Sequence, residues 1–176
     1  MSNPAPKLHI VVDTREQAPF TFTGYPVSVE VGTLEAGDYS LAGFGRRIAV
    51  ERKSLSDLVG CLGTDRERFG RELARLRGYD CAAVVVEAPV IELRQGRYPG
   101  RLDAGAAWQT VLAFTQRFRI PFLFCPDRAE SEAVTYDILR HYARDRWREL
   151  GALAPAARKT FLDSNNLEGK TIVPFC

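Results

Sequence analysis

Glu51-Arg52-Lys53 sets a carboxylate and an ammonium two positions apart. The run from Arg46 to Arg52 reads as a β-strand. Side chains alternate along a strand, so Glu51 and Lys53 share one face and Arg52 points to the other. As a bare tripeptide this is weak, because an exposed strand-end ion pair worth about 0–1 kcal/mol has the same composition. Two further acids give it weight. Asp38 begins a preceding strand, Asp38 to Leu41, and Ala42-Gly43-Phe44-Gly45 reads as the hairpin turn between the two. A four-residue loop sets Asp38 opposite Ala49 and diagonal to Glu51, on the same face, and diagonal neighbours lie roughly 7–8 Å apart. That parity depends on loop length, since a one-residue slip turns every side chain over. Two carboxylates at this spacing converge on one Mg²⁺, a hard cation that prefers oxygen and keeps several waters. Asp13 closes the first strand within Asp13-Thr14-Arg15-Glu16. Strand ends in α/β sheets are where sites assemble, so Asp13 or Glu16 is placed to add a ligand or orient a water. Such a set suits phosphodiester hydrolysis. A carboxylate-held metal polarises a phosphoryl oxygen and lowers the pKa of a bound water. A lysine beside it orients the nucleophile and offsets the charge building on phosphorus.

The elements that must position these groups are legible in the apolar pattern. Leu8 to Asp13 is a continuous, β-branched, buried strand. Val27 to Val31 alternates as a second strand, and with the hairpin it reads as an antiparallel meander. Ser54-Leu55-Ser56-Asp57 has the form of a capping box, and Thr64-Asp65-Arg66-Glu67 repeats it. The helix opened by the second box carries Phe69, Leu73 and Leu76 on one face, and Gly78 stops it. Cys81 to Glu87 is a strongly apolar strand. Residues 103–118 read as a helix with Trp108, Val111, Leu112 and Thr115 inward. Pro121 to Cys125 is a short strand, and Asp127 to Leu150 is a long amphipathic helix. The order predicts an α/β sandwich with a mixed central sheet flanked by helices. Residues 1–7 read as a flexible lead, 8–154 as the folded domain and 155–176 as an irregular tail.

Composition narrows the function classes. The 176 residues fit one domain with a real hydrophobic core. No apolar run approaches the ~18 residues of a membrane span, and the N-terminus lacks the pattern of a signal peptide. The expected location is the cytosol or nucleoid of a prokaryote or virus, or the nucleus of a eukaryote. Cys61, Cys81, Cys125 and Cys176 are too scattered for a zinc site and read as reduced thiols. His9 and His141 read as structural. The net charge of +2 says little, but arginines cluster between Arg66 and Arg77. Arg66, Arg68, Arg71 and Arg75 are candidate DNA phosphate contacts, as is Arg15. Tyr98 and Arg101, in the loop Gly96-Arg97-Tyr98-Pro99-Gly100-Arg101, combine base-stacking and phosphate-binding chemistry. No glycine fingerprint follows the first strand, so a phosphodiesterase acting on free nucleotides has no support.

Gly37-Asp38, then Glu51-Arg52-Lys53, then Asp57, preceded by Asp13-x-Arg15-Glu16, resembles the nuclease domain of the XPF family of structure-specific endonucleases. The resemblance covers roughly residues 8–140. It implies a restriction-endonuclease-like fold and Mg²⁺- or Mn²⁺-dependent cleavage of branched, flapped or junction-containing DNA. It also implies a homodimer or heterodimer formed through this domain, and no membrane partner. Carried over by position, Asp13, Asp38 and Glu51 would be metal ligands and Lys53 the catalytic lysine. Arg52, Glu16, Arg15 and Asp57 would support the site. Two departures matter. The family often adds a helicase domain or paired helix-hairpin-helix modules, and these 176 residues hold neither. The family's helix after the position of Phe69 often carries glutamine where this chain has Glu72. The alternative reading is a catalytically silent DNA-binding or dimerisation module of the same fold.

Overall fold

A computed structural model describes residues 8–152. The lead 1–7, the tail 155–176 and the exact end of the domain lie outside the described residues. Strands β1 (Leu8–Asp13), β2 (Val27–Gly32), β3 (Tyr39–Leu41) and β4 (Ile48–Ser54) come first. Helices α1 (Leu55–Leu62) and α2 (Arg66–Leu76), strand β5 (Cys81–Glu87), helices α3 (Val90–Arg94) and α4 (Ala104–Phe118), strand β6 (Phe122–Cys125) and helix α5 (Arg128–Ala152) follow. The sheet runs β2-β1-β3-β4-β5-β6. β1–β3 and β3–β4 are antiparallel, and β1–β2, β4–β5 and β5–β6 are parallel, so the sheet is mixed as expected.

The meander needs correction. β2 does not turn back antiparallel but lies parallel to β1 at the sheet edge, with Leu8 beside Val27 and Asp13 beside Gly32. A parallel neighbour needs a crossover of a dozen or so residues, which 14–26 supply. Phe20 and Phe22 in that crossover are buried, with ring centroids 5.0 and 5.8 Å from that of Tyr39. Burial of these aromatic rings holds the connection against the sheet.

The sheet separates two apolar layers. Ala49, Val84 and Val86 face α1, α2 and α4, packing with Leu58, Leu62, Phe69, Leu73, Val111 and Phe114. Ile48, Val50 and Val85 face the other way, onto Leu139 and Tyr142 of α5 and onto Phe20, Phe22 and Tyr39. β4 is therefore covered on both faces, and any charge near its C-terminal end is drawn into the protein.

Local signals explain most of the helices. Ser54 caps α1 and accepts from Asp57 N at 3.1 Å. The second capping box does not form. Asp65, not Thr64, is the N-cap of α2, and it makes no side-chain cap bond. In α4 the buried stripe is Ala107, Thr110, Val111, Phe114 and Phe118, while Leu112 is 42% exposed. That stripe follows the three- and four-residue spacing of a helix face, which places Leu112 on the outer side. Pro89 starts α3, a five-residue helix that the apolar pattern did not announce. No described helix is long and apolar enough to cross a membrane.

Candidate active site

The β3–β4 connection fixes the register that the site depends on. The chain makes two successive turns: Phe44 N donates to Leu41 O, and both Arg47 N and Ile48 N donate to Phe44 O. The loop is thus 42–47, longer by two residues than the expected turn, and Tyr39 pairs with Val50 instead of Ile48. A slip of two residues preserves the face. Carried one residue further, the register sets Asp38 across from Glu51 itself. Gly37 makes this approach possible. Its φ of +79° suits glycine, and a Cβ there would stand 2.8 Å from Ala49 Cβ and 3.3 Å from Val50 O. Asp38 is then held at both ends: its N–H donates to Val50 O at 2.9 Å, and its Oδ2 accepts from Arg52 N at 2.7 Å.

Glu51 and Lys53 lie on the α1/α2/α4 face of β4, and Arg52 lies on the α5 face, as alternation predicts. Glu51 is 2% exposed. Its Oε1 accepts from Lys53 Nζ, and its Oε2 is buried with no hydrogen-bond partner among the described residues. Burial, and then the neighbouring charge of Asp38, push the Glu51 carboxyl well above the usual range against the pull of Lys53. Asp38 is pushed up to about 6, chiefly by burial, with the Arg52 N–H and Lys53 opposing. Burial opposes the charge on Lys53, but Glu51, Glu72 and Asp38 outweigh it and raise its pKa. Lys53 therefore stays a cation, with Nζ 5.6 Å from the centre of the Phe69 ring. It is suited to donating hydrogen bonds and not to acting as a general base.

A pH dependence follows. A group whose folded-state pKa is raised contributes stability that is fully present below its unfolded pKa and lost as pH rises through the folded value. For Asp38 the loss spans from its ordinary value of 3.8 to somewhat above about 6. Metal-free protein is expected to lose melting temperature across that window, and Asp38→Asn to flatten the slope. Melts in chelator from pH 4 to 8 check this; an unchanged slope in the variant would remove Asp38 as its source.

The other predicted residues fall into separate groups. Asp13 is 2% exposed, and both its oxygens are engaged. Oδ1 accepts from Arg15 N at 2.9 Å and Arg15 Nε at 2.6 Å; Oδ2 accepts from Leu34 N at 2.7 Å and Arg15 Nη2 at 3.2 Å. Burial alone would raise its pKa, but these hydrogen bonds lower it. Among the described residues no three acid, histidine or cysteine side chains are arranged to hold an ion, so the structure does not gather Asp13 with Asp38 and Glu51. The two aspartates are linked through backbone, Asp13 N donating to Asp38 O at 2.8 Å.

Arg52 belongs to a buried network on the opposite face. Its Nε and Nη2 donate to Glu87 Oε1 and Oε2 at 2.7 and 2.8 Å, and its Nη1 reaches Glu16 Oε1 at 3.4 Å. Arg128 donates to the same Glu87 and to the carbonyls of Ala18 and Pro19. Asp57 Oδ2 accepts from Ser54 Oγ at 2.6 Å, which ties it to the start of α1. Arg66 donates to Thr110 Oγ1 and lies over Phe114, joining α2 to α4. Arg68 pairs with Asp65 in the open, and Arg71, Arg75 and Arg101 are exposed. Tyr98 packs on the core and donates to Leu102 O at 3.1 Å, which closes its loop.

Two positions that sequence reasoning did not assign to the site emerge. Glu87, the bidentate partner of Arg52, sits at the end of β5 beside Ser54, a parallel pairing that no local pattern announces. Glu72 on α2 acts electrostatically on Asp38, Glu51, Lys53 and Arg15. Its only sequence signal was the departure from glutamine.

Comparison with known proteins agrees with this arrangement. The ERCC4 domain matches residues 12–138. The DNA repair endonuclease XPF of Cricetulus griseus is 31% identical over 125 residues, covering 66% of this chain and 13% of XPF. A Methanocaldococcus jannaschii protein named as an ATP-dependent RNA helicase is 29% identical over 128 residues, 73% of this chain and 15% of that protein. The chain therefore spans only 13–15% of the length of these curated relatives. Among solved structures, XPF from Aeropyrum pernix in complex with DNA aligns with a TM-score of 0.62 at 19% identity, covering 94% of this chain and 93% of that one. Another XPF structure from Aeropyrum pernix aligns at 0.57 and 21% identity, covering 88% and 80%. With the matched domain covering both halves of the site, the chain belongs to the ERCC4 domain family and carries an XPF-family nuclease domain of restriction-endonuclease-like fold.

Proposed function

We propose that this domain is a divalent-metal-dependent endonuclease acting on branched, flapped or junction-containing DNA. The observation that carries the reading is Glu51: a buried carboxylate whose Oε2 has no partner among the described residues, facing Asp38 and tied to Lys53. A buried unpaired carboxylate oxygen is costly, and a divalent cation satisfies it. Asp38 and Glu51 would hold Mg²⁺ or Mn²⁺. Asp13, which the family pattern adds as a third ligand, would join them only on giving up Arg15, whose side chain binds both of its oxygens. When bound, the ion supplies Lewis-acid polarisation of the phosphoryl oxygen and a water of lowered pKa.

The chain's own groups do the rest. Lys53, kept protonated by its acidic neighbours, donates to the phosphate oxygens as negative charge builds on them. Asp38, held by the Arg52 N–H, keeps its carboxylate aimed beside Glu51. Arg15, with a side chain 67% exposed, stands at the rim where a phosphodiester backbone would pass. The exposed arginines of α2 and the loop bearing Arg101 would steer the DNA, which makes affinity fall with salt. The Aeropyrum pernix neighbour in complex with DNA supports a DNA partner, and the XPF likeness supports pairing of two such domains.

The test is a cleavage panel of labelled flap, fork, nicked, three-way-junction and linear duplex DNA with Mg²⁺, Mn²⁺ or EDTA. Cleavage of the branched substrates is expected with either metal and none in EDTA. Undiminished cutting in EDTA would sink the metal reading. Binding of the same substrates with no cleavage under any condition would identify a silent module.

A further inference from the structure

Glu72 lies outside the motif that identifies the domain, yet it stands over the same site. It follows Phe69 by three residues on α2, and side chains at that spacing are neighbours on a helix surface. Lys53 Nζ rests 5.6 Å from the centre of that Phe69 ring. Phe69, Leu73 and Leu76 are fully buried against the sheet, and Glu72 is half-buried at the edge of this stripe. Its negative charge bears on Asp38, Glu51, Lys53 and Arg15 together. Three acids thus face Lys53, while the side chain of Arg15 is engaged by Asp13. Glu51 Oε2 meanwhile is buried with no partner among the described residues. An excess of negative charge around a buried, unpartnered carboxylate oxygen is a cation site with more acid than two direct ligands need.

We infer that Glu72 is a positioning residue of this site, accepting hydrogen bonds from the water molecules of a divalent ion that Asp38 and Glu51 would bind directly. This rests on the metal-dependent reading above. Mg²⁺ binds through one or two carboxylates and keeps several of its waters, so the next carboxylate out acts through those waters. The absence of three directly converging ligands among the described residues fits an outer role for Glu72 and not a third direct bond. Partners of this kind orient what the ion carries, and their loss typically costs about 10–100-fold in metal affinity. A glutamine, neutral and with one acceptor oxygen, would hold such waters less firmly.

The experiment is calorimetric titration of the 176-residue protein with Mn²⁺, for wild type, Glu72→Gln, Glu72→Asp and Glu51→Gln, with melts of each in chelator. Wild type is expected to bind, and Glu51→Gln to lose binding. Glu72→Gln should bind about 10–100-fold more weakly, with a metal-free melting temperature equal to or above wild type, because a charge that repels Asp38 and Glu51 is gone. Glu72→Asp should recover most of the affinity. Wild-type affinity in Glu72→Gln would overturn the inference while leaving the metal reading intact. A lower melting temperature in Glu72→Gln with unchanged affinity would make Glu72 structural. If wild type itself bound no Mn²⁺, the metal reading would fall, and the role of Glu72 with it.

Discussion

Glu51→Gln is expected to lower DNA cleavage by on the order of 10³-fold, the upper range for removing one preorganised electrostatic group, while leaving the metal-free protein as stable as wild type or more so. The two effects have one cause. Glu51 is 2% exposed and half-satisfied, with Lys53 on Oε1 and no partner for Oε2. Its charge is disfavoured by burial and by Asp38, so a neutral side chain of the same shape relieves repulsion in the empty site. The same neutral group cannot hold Mg²⁺, a hard cation that selects charged oxygen. Thermal melts with and without Mg²⁺, paired with single-turnover cleavage, check both halves. Wild type should be stabilised by the ion and the variant should not. A variant that cut DNA at the wild-type rate would remove Glu51 from the chemistry.

Arg52→Ala is expected to produce the largest loss of stability, about 3 kcal/mol, with the chemical step retained in the folded fraction. The Arg52 side chain is 12% exposed and its partner Glu87 13%. Removing one member of a buried pair leaves the other unpaired, which is the costly case. Arg128 also bonds Glu87 and keeps part of the network, which holds the figure at the low end. For a domain of this size the loss corresponds to a fall in melting temperature of roughly 6–12 °C. Cleavage below the new transition, normalised to folded protein, separates the roles. A variant that melted with wild type yet failed to cut would return Arg52 to the catalytic set beside Lys53. The backbone N–H of Arg52, which fixes Asp38, is untouched by the substitution.

The contrast between these neighbours was legible in the sequence. Alternation along one strand sends Glu51 and Lys53 to one face and Arg52 to the other, and that depends only on backbone geometry within β4. Asp38 was assigned to the correct face although the loop is longer by two residues than expected, because an even slip leaves side-chain direction unchanged. The Ser54 cap, the apolar stripe of α2 and the strand Cys81–Glu87 were legible for the same reason: each is a pattern within a few adjacent residues.

Tertiary structure decided what depends on distant segments meeting. The parallel placement of β2 follows from burial of Phe20 and Phe22 against Tyr39, a packing no local period encodes. Arg52 acquired its partner from β5 and α5, and Asp13 was drawn to Arg15 and Leu34 instead of to the other acids. Glu72, an acid on an arginine-rich helix, gained its place only when Phe69 docked under Lys53. Local alternation and capping are short-range consequences of backbone geometry, readable one segment at a time. Which charges share a desolvated site is set by how two layers close on a sheet, and that is a property of the assembled chain.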